Sequence, residues 1–196
     1  PVDTNAATNQ GAEAASAGVS VGLTVSSADP AGGVVEYSLS DNAGGRFNIH
    51  PTTGVVTAAD GNLLNHDTAT SHFITVVATD AFGVTSSVTF TINVLNVAPN
   101  AATDTDGRAN EILEGAADGT FTGLTARGTD PAGGVLTYSL SNDASGRFAI
   151  DASTGAVSVA DGSLLNHDAS SSYDVTVVAT DAGGLTASAT FTLTGT

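Results

Sequence analysis

The stretch Leu63 to Asp80, LLNHDTATSHFITVVATD, returns 101 residues later at Leu164 to Asp181 as LLNHDASSSYDVTVVATD, with no gap needed to align the two. More than half of the paired positions over Ala12–Leu95 are identical at this offset. Two segments so alike must share one fold, so the 196-residue chain divides into two domains of about 100 residues. The boundary predicted from the repeat is 1–98 for the first and 99–196 for the second.

Within each copy the hydrophobic period is two. Val19, Val21, Leu23 and Val25 alternate with small polar residues, as do Val35, Tyr37 and Leu39, matched by Leu136, Tyr138 and Leu140. This is the pattern of strands with one face buried. The second copy is out of phase at Phe121, Leu124 and Ala126. Turn chemistry separates the runs: Asp29-Pro30-Ala31-Gly32-Gly33, Thr53-Gly54 and Asp60-Gly61, each with a counterpart 101 residues on. No segment carries a helical stripe. Strands every 8–15 residues predict an all-β chain of two tandem Greek-key β-sandwiches, each of about seven strands.

The chain has no Cys, Met, Trp or Lys, and its net charge is −16. Disulfides and thiolate metal sites are therefore excluded. Nucleic acid and anionic membrane surfaces would be repelled, while divalent cations would be attracted. No signal peptide or spanning segment is visible, and a start without Met reads as a piece of a longer protein.

Read in order, Glu13, Gly18, ADPAGG-x3-YSL, RFNI-x4-G, LNHD, VVATD and FTINVLNVAP resemble a cadherin repeat, most of all the cadherin-like tandem repeats of bacterial cell-surface proteins and adhesins. The resemblance covers nearly all of both copies. It implies a secreted or cell-surface protein with a structural or adhesive job, whose partners are neighbouring repeats, identical chains joined head-to-tail, a surface protein or a polysaccharide. It also implies calcium at the junction of successive repeats. Carried over by position, the ligands would be Glu13, Asn65 and Asp67 from the first copy, with Asp130 and Asp181 from the second. Asp29 and Asp80 would face a preceding repeat, Glu114 and Asp168 a following one. Departures weaken the site. Ala31 and Ala132 replace the second acid of the turn, Asn65 and Asn166 replace another, and the linker Asn93–Pro99 has no acid. A three-ion junction is not expected; Asp104 and Asp106 are candidates to compensate. The other reading is that the surviving acids cap turns.

Other constellations are weaker. His66 and His167 each precede an Asp in the same recurring turn, but no Cys or HExxH-type partner accompanies them, so they read as scaffold. His50 corresponds to Asp151 and His72 to Tyr173, so neither His marks a repeated site. Arg46 and Arg147 are read as pairing with an acid of their own module. Phe73 becomes Asp174 and Phe82 becomes Gly183, which removes both from the common core and places Phe82 at an exposed loop tip facing a neighbour or ligand. A carbohydrate-binding module is the alternative function, but Tyr37, Tyr138 and Tyr173 all fall in strand phase. No catalytic motif appears, and the chain is read as no enzyme.

Overall fold

The computed structural model describes all of residues 1–196. Contacts divide the chain into two compact units, Pro1–Val97 and Ala98–Thr196, called repeats 1 and 2.

Repeat 1 contains β1 (Val2–Asp3), β2 (Gln10–Ala12), β3 (Ser20–Ser26), β4 (Val35–Asp41), β5 (Phe47–Ile49), β6 (Val55–Ala58), β7 (Ser71–Asp80) and β8 (Thr85–Leu95). A 3-10 turn at Gly61–Leu63 precedes β7. One sheet has the order β1-β3-β6-β5, the other β2-β8-β7-β4. Repeat 2 repeats the plan with β9 (Thr103–Asp104), β10 (Glu111–Ile112), β11 (Phe121–Arg127), β12 (Thr137–Asn142), β13 (Phe148–Ile150), β14 (Ala156–Val159), β15 (Ser172–Thr180) and β16 (Thr186–Gly195). Its sheets run β9-β11-β14-β13 and β10-β16-β15-β12. No helix is long and apolar enough to cross a membrane.

The expected sandwich is present, with eight strands per repeat in place of seven. The leading strand is split. β1 pairs antiparallel with β3, then the chain crosses and β2 pairs parallel with β8 in the other sheet. The residues just after β2 therefore lie beside the end of β8, where the chain leaves the repeat: the Glu13 N–H donates to the Leu95 carbonyl at 2.9 Å.

Alternation sets the core. Val21, Leu23 and Val25 face inward from β3, Ile74, Val76 and Ala78 from β7, and Tyr37 closes one flank. The same layer in repeat 2 holds Leu124, Val175, Val177, Ala179 and Tyr138. The broken phase of β11 has a simple cause. Thr122 occupies the inward place of Val21, fully buried, and donates its hydroxyl to the Val157 carbonyl at 2.9 Å, which satisfies the polar group inside an apolar layer. Both β3 and β11 carry a bulge. Gly22 and Gly123 turn there with φ of 76° and 86°, and a Cβ on either would strike the carbonyl oxygen of Thr8 or Ala109. Only glycine fits such a bulge.

Candidate functional site

The turn that follows the 3-10 segment of repeat 1 is held by its own side chains. Asn65 Oδ1 accepts the Thr68 N–H at 3.0 Å, and Thr68 Oγ1 donates to the Asn65 carbonyl at 2.9 Å. Asn supplies this cap as well as Asp would, which explains its presence where the family resemblance expects an acid. Glu13 reaches the same turn from β2. It is 3% exposed, and its carboxylate accepts the His66 N–H at 3.0 Å through Oε2 and the Val97 N–H at 2.7 Å through Oε1. Glu13, Asn65 and the exposed Asp67 therefore gather at the trailing end of repeat 1, where the chain departs.

The leading end of repeat 2 is built from two turns. Asp130 follows β11, and its Oδ1 accepts both the Ala132 N–H at 2.8 Å and the Gly134 N–H at 3.1 Å. Its Oδ2 is buried without a hydrogen-bond partner, and the residue is 8% exposed. Asp181 closes β15, is 5% exposed, and accepts the Leu185 N–H at 2.8 Å. The incoming chain passes beside Asp130, since the Asn100 N–H donates to the Thr129 carbonyl at 2.8 Å. In repeat 1 the equivalent Asp29 and Asp80 line one cleft. There Asp29 uses both oxygens, one on Ala31 and one on Gly33, and Asp80 Oδ1 takes the N–H groups of Phe82 and Val84. In both repeats the two acids predicted to act together thus belong to neighbouring turns at one end of the sandwich.

Within neither repeat do three or more His, Asp or Glu side chains converge on one point. A hard cation needs about six to eight oxygens. Repeat 2 offers one feature that fits: the bare, buried Asp130 oxygen, a group that is costly to leave unpaired.

Several expectations change. Asp104 and Asp106, the candidates to compensate, are both engaged within repeat 2. Asp104 lies on β9 and is occupied by the N–H groups of Asp106 and Thr125 and by Asn110 Nδ2, while Asp106 accepts the Arg108 N–H and sits 3.9 Å from its Nε. Arg46 and Arg147 do not pair with acids. Each guanidinium staples two carbonyls, Leu63 and Ala43 in one repeat, Leu164 and Ala144 in the other, because its forked donors span the two turns better than a carboxylate could be brought to them. His50 and Asp151 do form a repeated site. The His50 ring Nδ1 takes the N–H groups of Thr52 and Thr53, just as Asp151 Oδ1 takes those of Ser153 and Thr154. Two unlike residues share one acceptor role, which an alignment by residue type hides. His66 Nδ1 is buried without a hydrogen-bond partner. Phe82 and Phe73 are exposed, at 87% and 62%, as their loss from the second copy implied.

Residues 101–194 match the family model of the cadherin domain. Human cadherin-23 is 29% identical over 167 residues, which is 82% of this chain and 5% of that protein. Zebrafish cadherin-related family member 1a is 30% identical over 141 residues, covering 65% of this chain and 16% of that one. The chain is thus a small fraction of the length of these relatives. Repeats EC22-24 of mouse cadherin-23 superpose with a TM-score of 0.51 at 23% identity, over 96% of this chain and 63% of that structure, a likeness of fold.

Proposed function

We propose that this cadherin-like pair of repeats is an extracellular structural and adhesive module, spacing or polymerising a cell-surface or fibre protein, with a junction stiffened by one calcium ion. Asp130 and Asp181 would supply buried carboxylate oxygens from repeat 2, and Asp67 with Asn65 would supply oxygens from repeat 1. The observation that carries this reading is the Asp130 Oδ2, buried and unpartnered in a chain of net charge −16. Such an oxygen stabilises the fold once a cation neutralises it and costs stability otherwise. Connectivity supports the pairing of the two ends. Only Ala98 and Pro99 separate Val97, held by Glu13, from Asn100, held beside Asp130, a span of at most about 11 Å of chain. Bound there, calcium would neutralise carboxylates that otherwise repel each other and so hold the two repeats in one arrangement.

Sugar binding is disfavoured. Tyr37, Tyr138 and Tyr173 are all buried in the two cores, which removes the exposed tyrosine platform that stacking on a sugar needs.

Calcium titration into the metal-free chain, followed by calorimetry and melting temperature, tests the proposal. A stoichiometry near one and a rise in melting temperature are expected, since about 100 Kd of ligand adds about 2.7 kcal/mol. Asp130→Asn keeps an oxygen for the turn amides but removes the charge, and should abolish most of the rise; Asp181→Asn should do the same. Absence of both heat and a melting shift would refute the cation role and leave the fold untouched.

A further inference from the structure

We infer that Glu13 is a metal-independent clasp that fixes the departure of the chain from repeat 1. In the position where the family resemblance expects a calcium-ligating glutamate, both carboxylate oxygens already accept backbone amides. Oε2 takes the His66 N–H at 3.0 Å and Oε1 takes the Val97 N–H at 2.7 Å. The second distance is that of a charge-assisted bond. Backbone bonds hold the glutamate in place to do this. Its own N–H reaches the Leu95 carbonyl at 2.9 Å, and the Ala14 N–H reaches the Leu64 carbonyl at 3.0 Å. One side chain thereby ties together β2, the Asn65–Thr68 turn and the first linker residue beyond Asn96. At 3% exposure a carboxylate is tolerable only with such partners.

Repeat 2 supplies an internal comparison. Glu114 keeps the backbone bond, here to Thr196 at 3.0 Å, and the turn bond, from the His167 N–H at 3.2 Å. The backbone bond and the turn bond of this glutamate thus recur in both repeats. The clasp orders Val97 before any cation is present, so it goes beyond the calcium reading and does not depend on it.

Amide hydrogen exchange of the full chain by NMR, in EDTA and in saturating calcium, tests this. The Val97 amide should be protected in EDTA and unchanged by calcium. Glu13→Ala should speed its exchange roughly 10- to 100-fold, the loss of one charge-assisted bond. Glu13→Gln should free one of the His66 and Val97 amides, because its NH2 cannot accept. The Val94 amide, bound to the Thr70 carbonyl at 2.9 Å, reports whether repeat 1 stays folded in each variant. Glu114→Ala should leave Val97 unchanged. Val97 exchanging without protection in EDTA and becoming protected only with calcium would overturn the clasp, as would a Val97 rate indifferent to both Glu13 variants. Failure of calcium to bind would leave these expectations in place.

Discussion

His72→Tyr should stabilise repeat 1 and remove an acid sensitivity that repeat 2 lacks. His72 points inward from β7 with its ring tilted 60° against Phe47, centroids 6.2 Å apart. Its Nε2 is buried without a partner. Burial, and then the charge of Arg46, hold its pKa below the usual imidazole value. The equivalent Tyr173 has none of these faults. Its hydroxyl accepts the Asn166 N–H at 3.2 Å, its ring meets Phe148 edge-on at 5.8 Å, and Arg147 lies 5.3 Å above it. Transplanting the tyrosine adds a hydroxyl bond of about 1 kcal/mol and a cation–π contact of about 0.5–1 kcal/mol. Fitting the longer ring takes back about 1 kcal/mol, the low end of an overpacking cost, because the His72 site leaves one ring nitrogen unpartnered. The net gain is about 1 kcal/mol, or a rise of roughly 4–8 °C in the repeat 1 transition. Scanning calorimetry of the full chain measures it, the transition that moves being that of repeat 1. The pH arm follows from linkage. A histidine with a depressed folded pKa binds protons more readily when unfolded. Stability is therefore complete above pH 6.5, the ordinary value, and falls as pH drops below it. The wild-type repeat 1 transition should fall between pH 7.5 and pH 5.5 while that of His72→Tyr holds. A variant that melts lower than wild type, or one that keeps the full pH slope, refutes the reasoning.

Two further tests address the turns. Asp151 accepts hydrogen bonds from the Ser153 hydroxyl, the Thr154 N–H and hydroxyl, and the Ser153 N–H, which hold its carboxyl well below the usual carboxylate range. A depressed carboxylate pKa contributes stability above its unfolded value of 3.8 and loses it as pH falls further; Asp151→Asn should thus be less stable at pH 7, and the deficit should shrink below about pH 4. Chemical denaturation at several pH values checks this, and a pH-independent deficit would exclude the charge as the cause. Gly123→Ala should cost more than about 2 kcal/mol, because a left-handed alanine alone costs about 1–2 kcal/mol and its Cβ meets the Ala109 carbonyl. Gly119→Ala shares the positive φ of 83° but has open space around it, so it should cost only the backbone share; equal costs at the two sites would show that the collision is relieved by movement.

Period-two alternation and the 101-residue offset made the sandwich legible, since every core residue of β3, β4 and β7 announces itself by phase. The split leading strand was not legible. β1, β2, β9 and β10 are two or three residues long, too short to carry a period, and they owe their pairing to neighbours distant in sequence. Thr122 was illegible for a different reason: a hydroxyl in an inward place reads as polar until its acceptor, the Val157 carbonyl, is known. Arg46 misled because so many acids surround so few cations in the sequence, whereas the fold presents it with two carbonyls.

The acids raise the sharper problem. An Asp that caps a turn and an Asp that binds a cation occupy the same kind of place, since both need a carboxylate beside exposed backbone amides. Sequence position does not separate them; counting occupied oxygens does. Asp29 has spent both oxygens on its own turn and Glu13 has spent both on His66 and Val97. Asp130 sits in the same turn as Asp29, yet its two amides converge on a single oxygen and leave the other buried and bare. The difference is a matter of side-chain rotation within an identical Asp-Pro-Ala-Gly-Gly sequence, so no reading of residue types could have found it. It also ranks the candidates. A cation would compensate an unmet cost at Asp130, whereas at Asp29 and Glu13 it would have to compete with hydrogen bonds already made. Asp130→Asn should therefore weaken calcium binding more than Glu13→Gln does, even though the family resemblance gives both residues the same standing.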